Sequence, residues 1–163
     1  MTVPEATARF VVRMPYPEDA ALYGSLYTDP DTMRHVAPPW SSAQASANFA
    51  RVLSACVEPD FRYRLWVVAT HANEAVGVIA LTGNAARAEL GMMILPGWRS
   101  LGVAKEVVPS VTRYAFDVLG VARVAARHVL ANGAGAQVMQ ALGFTPEPGA
   151  EAGWQTWCRD REA

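Results

Sequence analysis

The chain has 163 residues, which predicts one domain, because a hydrophobic core of this size seldom splits in two. Hydrophobic residues make up 52% of it and charged residues 18%, a balance that excludes an intrinsically disordered chain. The formal net charge of −1 gives no electrostatic reason to expect nucleic acid or a membrane surface as a partner.

The distribution of residues gives no sign of a transmembrane helix or of a signal peptide. No apolar run reaches the roughly 18 residues that a transmembrane helix needs. The first ten residues, MTVPEATARF, lack the basic and apolar regions of a signal peptide, and we expect a cytoplasmic protein.

The two cysteines, Cys56 and Cys158, form neither a metal-ligand pair nor a CxxC motif, so we expect free, buried or half-buried thiols and no metal.

The first 60 residues predict one strand and two helices. Arg9 to Arg13 is a short apolar segment typical of a strand. A helix begins near Pro17 and is broken by the turn that starts at Asp29. Residues 35–40 (HVAPPW) contain two prolines and predict a stiff loop. The pattern S-x-x-Q from Ser41 is a capping box that begins the second helix.

The remaining residues predict a sheet interrupted by two helices. Predicted strands are 62–70, 75–82, 87–95, 121–130 and 154–159, and predicted helices are 101–119 and 136–142. Residues 132–135 and the segment after Phe144 predict glycine-rich or proline-rich loops. The resulting order, β-α-α-β-β-β-α-β-α-β, predicts a single α+β (mixed α/β) domain over residues 1–163.

The segment with a chemical signature is Glu89 to Ala104, ELGMMILPGWRSLGVA. In it, a strand is followed by a tight loop that holds Arg99 and Gly102 and leads into a helix. The first turn of a helix presents unpaired N–H groups and a partial positive charge, and small residues let a phosphate approach the backbone. Because Arg99 adds a cation with several donors, we predict an anion site here.

Two better-known phosphate loops are excluded, since neither GxxxxGK[ST] nor G-x-G-x-x-G occurs in the required context. The remaining pattern, R-x-x-G-x-A, resembles the acyl-CoA pyrophosphate loop of the GNAT N-acetyltransferases. The resemblance covers nearly the whole chain. RMPYPEDAALYGSLYTDPDTMRHV is similar to the opening helices of the RimJ/RimL branch, residues 88–132 to the central motif, and NGAGAQVMQALGF to the Asn-to-Gly-Phe segment that follows it.

This resemblance implies a GNAT-like fold, with a central, mostly antiparallel twisted sheet that is splayed at the acyl-CoA site and flanked by helices. In the family, the pantetheine arm of acetyl-CoA pairs with the backbone of the splayed strand. The implied cofactor-binding residues are Met92, Met93 and Ile94 in the strand, Arg99, Ser100, Leu101, Gly102, Val103, Ala104 and Lys105 at the pyrophosphate loop, and Asn132 after the next strand. Lys105, the only lysine, either contacts a CoA phosphate or is solvated, and Asn132 either binds pantetheine or a water, or forms a turn.

Acetyl transfer to an amine needs a neutral nucleophile, and a general base helps to supply it. Glu89 is the first candidate, because it shares a strand face with Gly91 and Met93 and resembles the strand glutamate that is the base in many GNAT enzymes. The alternative is a structural carboxylate paired with Arg87 or another arginine. His128, near the end of the next strand, is either a proton shuttle or a satisfied strand histidine.

The chain departs from the family at the usual proton donors. Members of the RimJ/RimL branch often have a serine three residues after the asparagine that corresponds to Asn132. Other GNAT enzymes have a tyrosine seven residues after it. Here these positions hold Gly135 and Met139. A thiolate can leave without a donor, because the pKa of its conjugate acid is about 8.5.

Trp40 and His35, in the proline-rich loop, are the candidate acceptor-binding residues, with loop packing and plain surface exposure as the alternatives. The predicted function is an acetyl-CoA-dependent N-acetyltransferase, in which an amine attacks the thioester directly. The predicted acceptor is the N-terminus of a protein or peptide, or a small-molecule amine. The sequence leaves open whether the chain forms a homodimer. The rival prediction is a non-catalytic acyl-CoA-binding sensor or partner subunit, which the missing proton donors favour and Glu89 opposes.

Overall fold

The computed structural model describes residues 2–149 and 151–162, and within them a seven-stranded sheet has the order β1-β2-β3-β4-β5-β7-β6. The strands are β1 (Phe10–Arg13), β2 (Tyr63–Thr70), β3 (Ala75–Gly83), β4 (Ala88–Ile94), β5 (Arg123–Val129), β6 (Thr145–Glu147) and β7 (Trp154–Asp160). The helices are α1 (Ala20–Thr28), α2 (Pro30–Met33), α3 (Ser42–Ala55), α4 (Val103–Asp117) and α5 (Gly133–Ala141). Neighbouring strands are antiparallel except β4 and β5, which confirms the predicted mixed α/β class and mostly antiparallel sheet.

Both faces of the sheet are covered by helices. Val107 and Val111 of α4 are fully buried in the cluster on one face. On the other face, Tyr23 of α1 packs against Phe49 of α3 in a second cluster. The predicted capping box begins α3, where the Ser41 hydroxyl accepts from the backbone N–H of Gln44.

The predicted break at Asp29 is confirmed, since α1 ends at Thr28. The sequence did not predict the short helix α2 that follows, which begins because the Asp29 carboxylate accepts the N–H of Thr32. Two other local predictions were wrong. Residues 132–135 are not a loop: Asn132 is the N-cap of α5 and the glycines form its first turn. Residues 145–147 pair with β7 as an edge strand, where a proline is tolerated.

β4 and β5 run side by side for only three residues. Residues 88–90 pair with residues 124–126, after which β4 continues along β3 and β5 continues along β7. The two parallel strands therefore part. One backbone edge of residues 91–94 faces the resulting gap, as the resemblance implied for this strand.

The opposite, closed end of this strand pair is held by charged side chains. Arg87 donates two hydrogen bonds to the Glu147 carboxylate, at 2.9 and 2.8 Å, and Arg123 lies 3.5 Å from it. The Arg87 hydrogen bonds lower the pKa of Glu147 to about 2. The ion pairs fasten the edge strand β6 to the start of β4 and β5.

Gly77 on β3 allows β4 to approach closely at the open end. A Cβ atom added there would lie 2.2 Å from the carbonyl oxygen of Met93 and 3.0 Å from the Cα of Ile94, so β4 would have to move. We expect Gly77→Ala to lower the free energy of unfolding by about 2 kcal/mol and the melting temperature by about 5 °C. Calorimetry checks this, with Gly24→Ala in α1 as the control.

Gly24 has no atom within 4 Å of an added Cβ, so its replacement is expected to leave the melting temperature unchanged or to raise it. If Gly77→Ala melted no lower than Gly24→Ala, the close approach of β3 and β4 would not require glycine.

Candidate active site

The gap between β4 and β5 opens into a cavity of about 350 Å³. Its walls come from both parting strands, from β3, from the end of α1, from the start of β7 and from the loops that hold residues 35–36 and Asn132. The lining residues are Glu89 to Met93, Arg127 to Val129, Val78, Ala80, Tyr27, His35, Val36, Asn132 and Trp154. A larger cavity of about 500 Å³, between α4 and the C-terminal residues, contains none of the predicted site residues.

The loop before α4 turns the chain through two left-handed residues. Ser100 has φ 60° and Gly102 has φ 78°, a conformation that is uncommon for serine and easy for glycine. Gly102 is the N-cap, and its carbonyl accepts the first helical hydrogen bond from Glu106 at 3.2 Å. The N–H groups of residues 103–105 therefore have no partner within the helix. They form the positive end of the helix dipole, which suits a diphosphate.

A side-chain cluster that sequence reasoning missed holds this loop against the N-terminal segment. The Glu106 carboxylate accepts hydrogen bonds from the Thr7 hydroxyl and from the backbone N–H and Nε of Arg9, each at 2.7 Å. Arg9 also donates to the Leu101 carbonyl at 3.0 Å. Burial works against ionisation of Glu106, but the hydrogen bonds from Thr7 and Arg9 hold its pKa below the usual range. Glu106 is therefore ionised at neutral pH and fixes the loop.

Arg99 is committed to contacts within the protein. It donates through Nε to the Ile94 carbonyl at 3.1 Å and through a terminal nitrogen to the Thr32 hydroxyl at 2.6 Å, so it ties the end of β4 to α2. Both acceptors are neutral and the side chain is exposed, so its predicted role as a cation for a bound anion stays a prediction. The remaining loop cation, Lys105, is exposed in the first turn of α4, which is compatible with both readings of that residue.

Glu89 lies at the cavity and is also paired with an arginine. Its side chain is 52% exposed, and its Oε1 lies 3.1 Å from Nε of Arg127. The Arg127 guanidinium lies over the ring of Trp154, 4.7 Å from the centroid. This contact fits the alternative of a carboxylate paired with an arginine, and the arginine is Arg127, since Arg87 pairs with Glu147. The placement leaves Glu89 available as a base while giving it an ionic neighbour.

Both ring nitrogens of His128 are engaged. The indole N–H of Trp157 can only donate, and it lies 3.0 Å from Nε2 of His128, so Nε2 is the acceptor. In a neutral ring the proton is then on Nδ1, which donates to the Val129 carbonyl at 2.9 Å. A protonated ring would offer Trp157 no acceptor. The geometry therefore favours the satisfied strand histidine over the proton shuttle.

The same ring explains the glycine where the family often has serine. A Cβ atom added to Gly135 would lie 2.7 Å from Cγ and 2.8 Å from Cδ2 of His128. The imidazole occupies the space that a serine side chain would need. Met139, at the position of the other usual donor, packs against the hydrophobic core.

The remaining predicted residues divide between the cavity and its support. His35 and Asn132 line the cavity, and Asn132 is the N-cap of α5. Trp40 stacks on Tyr27 with centroids 4.5 Å apart, and Tyr27 is the one of the two that lines the cavity. Trp40 thus follows its loop-packing alternative. Arg127 is a lining residue that sequence reasoning missed.

Within residues 2–149 and 151–162, no helix combines the length and apolar character needed to cross a bilayer. The same residues contain no cluster of three or more His, Cys, Asp or Glu that could hold a metal ion. Cys56 and Cys158 are free and buried, as the sequence predicted.

Comparison with known proteins agrees with this geometry. The family model of the acetyltransferase (GNAT) domain matches residues 9–145, well over half of the chain. An uncharacterized N-acetyltransferase of Bacillus subtilis, YoaA, is 27% identical over 146 residues, which are 86% of this chain and 82% of the relative.

Solved structures share the fold at lower sequence identity. An acetyltransferase from Agrobacterium tumefaciens has a TM-score of 0.83 and 19% identity, over 99% of this chain and 96% of the other. The spermidine N-acetyltransferase of Vibrio cholerae, solved with CoA and spermine, has a TM-score of 0.77 and 16% identity, over 91% and 92%.

Proposed function

Since the chain belongs to the GNAT acetyltransferase family, we propose that it transfers the acetyl group of acetyl-CoA to an amine. The observation that carries the proposal is the parting of β4 and β5 next to the left-handed loop that begins α4. The gap exposes a backbone edge, the loop presents unpaired N–H groups, and Glu89 lies in the cavity between the strands.

The protein's own backbone would hold acetyl-CoA in this arrangement. The N–H groups of residues 103–105 would bind the diphosphate, and Lys105 is close enough in sequence to add a charge for a CoA phosphate. The edge of residues 91–93 would pair with the pantetheine amides, as a peptide pairs with an open sheet edge. Bound acetyl-CoA supplies an activated acetyl group, whose carbonyl accepts the nucleophile.

The chain's residues account for the proton in the transfer step. The amine nitrogen forms a bond to the acetyl carbonyl carbon, the carbon–sulfur bond breaks, and CoA leaves as the thiolate. The proton that the nitrogen loses goes to Glu89, directly or through a water. Because Trp157 engages His128 and neither Gly135 nor Met139 has a proton to give, the thiolate takes its proton from solvent.

Binding of CoA is the first test of this proposal. At about 100 times its Kd, CoA is expected to stabilise the protein by about 2.7 kcal/mol, which raises the melting temperature by about 5 to 10 °C. Thiol release from acetyl-CoA is then measured with a panel of primary amines. The absence of a thermal shift at millimolar CoA would overturn the proposal. A shift without transfer to any amine would instead support the non-catalytic acyl-CoA-binding module.

A further inference from the structure

Arg127 is an arginine of the sheet whose side-chain donors are not used in hydrogen bonds to the described residues, whereas Arg64 and Arg159, which also lack a carboxylate partner, donate to backbone carbonyls. Arg13, Arg87 and Arg123 each donate two hydrogen bonds to one carboxylate. Arg127 donates none to any residue that the structure describes. Its nearest carboxylate oxygens are Oε1 of Glu89, 3.1 Å from Nε, and Oε2 of Glu151, 3.6 Å from a terminal nitrogen.

An aromatic ring and two nearby carboxylates hold the guanidinium of Arg127 in place without an aligned hydrogen bond. The group lies over the Trp154 ring at 4.7 Å, and its side chain is 45% exposed at the cavity. Stacking on an aromatic face orients the planar group, and its parallel N–H donors match the two oxygens of a carboxylate. A guanidinium in this state is arranged to receive an anion from solution.

Among the described lining residues of the cavity, Glu89 and Arg127 are the one acidic and the one guanidinium side chain. They lie next to each other, so a ligand with an amine and a carboxylate could contact both and replace their mutual contact. Each protein charge would then keep a partner of opposite sign. A polyamine would find a single carboxylate there and would be repelled by Arg127.

A pocket next to the cavity adds apolar surface. It shares Val36, Val129 and Trp154 with the cavity and is also lined by Pro38 and Pro39. Arg34 lines it too, but the guanidinium of Arg34 is paired with Asp31. Val36 is 55% exposed, so its side chain is accessible to a ligand at this position. The apolar part of an acceptor would be sheltered from water against these side chains.

From these contacts we propose that the acceptor is a free amino acid with an apolar side chain. Its carboxylate binds Arg127, its amine lies at Glu89, and its side chain contacts the loop around Val36. This inference rests on the proposed acetyltransferase function and makes Arg127 the residue that determines acceptor specificity. The N-terminus of a peptide lacks a carboxylate beside its amine and would not satisfy Arg127.

The test compares acceptors that differ only in the anion. Leucine, leucinamide and 3-methylbutylamine are offered at saturating acetyl-CoA, and kcat/KM is measured by thiol release. We expect leucine to exceed both others by about 10-fold, which corresponds to about 1.4 kcal/mol, because the contact of the carboxylate with Arg127 is charge-assisted but half exposed. Leucinamide has the less basic amine, so intrinsic reactivity alone would favour it over leucine.

Variants assign the preference to Arg127. In Arg127→Ala the ratio of kcat/KM for leucine over leucinamide is expected to fall to one or below, and in Arg127→Lys to an intermediate value. Arg51→Ala, which removes an exposed arginine from α3, serves as the control and should keep the full ratio. Titration calorimetry on the CoA-saturated protein should show the same loss of leucine binding in Arg127→Ala.

The outcomes separate this inference from the function on which it rests. Acetylation of leucinamide or of peptide N-termini as fast as of leucine, or an unchanged ratio in Arg127→Ala, would overturn the inference and leave the acetyltransferase standing. Failure of the protein to bind CoA, or to acetylate any amine, would overturn the proposed function and the inference with it.

Discussion

Replacing Glu89 with glutamine is expected to lower kcat by about 100-fold or more, because a positioned general base contributes a factor of this size. Glutamine keeps the shape of the side chain at the cavity but cannot take the proton from the amine. The KM for acetyl-CoA and the melting temperature should change little, since Glu89 is half exposed. Steady-state kinetics with a reactive amine, together with calorimetry, measures all three.

The neighbouring carboxylate supplies the control for this variant. Glu151 also lies near Arg127, at 3.6 Å, but is not among the residues that line the cavity. Glu151→Gln is therefore expected to keep kcat within a few-fold of the unmodified protein. The activity of Glu89→Gln should also rise with pH as the amine loses its own proton. Unchanged kcat in Glu89→Gln would remove this carboxylate from the reaction.

A negative charge at Gly102 is expected to abolish useful CoA binding without unfolding the protein. Aspartate tolerates the left-handed conformation of this residue better than most side chains. It would, however, place a carboxylate beside the N–H groups that face the diphosphate. Unit charges about 5 Å apart repel by about 3 kcal/mol at an effective dielectric constant of about 20, which weakens CoA binding by about 100-fold.

Gly102→Asn is the matched control, because asparagine has nearly the same shape and backbone tolerance but no charge. We expect it to weaken CoA binding only a few-fold, and both variants to melt within a few degrees of each other. Titration calorimetry with CoA at two salt concentrations measures the difference, which should shrink at high salt. Equal Kd values for the two variants would place the diphosphate away from Gly102.

Local patterns were sufficient to predict most of the fold. The S-x-x-Q box located the start of α3, and alternating or continuous apolar runs located five of the sheet's strands between residues 62 and 160. The left-handed φ of Gly102 explains why glycine stands before α4, while the approach of a phosphate to this backbone stays a prediction. These features depend on residues within one turn or one strand of each other.

The chemistry of the site depends on contacts that a local pattern does not contain. Arg127 reaches Glu89 because the parallel register sets Ala125 beside Glu89, which places the residue two positions further on the same face. The state of His128 depends on Trp157, a neighbour across β5 and β7. A single sequence gives the strands but not their register, so these partners could not be named in advance.

The contact between His128 and Gly135 has a consequence for the order in which the two positions can mutate. While the imidazole is present, even alanine at position 135 would bring a carbon within 3 Å of the ring. Removing the imidazole first would leave the indole N–H of the buried Trp157 without its acceptor, at a cost of about 1 to 3 kcal/mol. Either single step destabilises the protein. Serine at position 135 therefore requires a second substitution at His128, so the two positions are coupled.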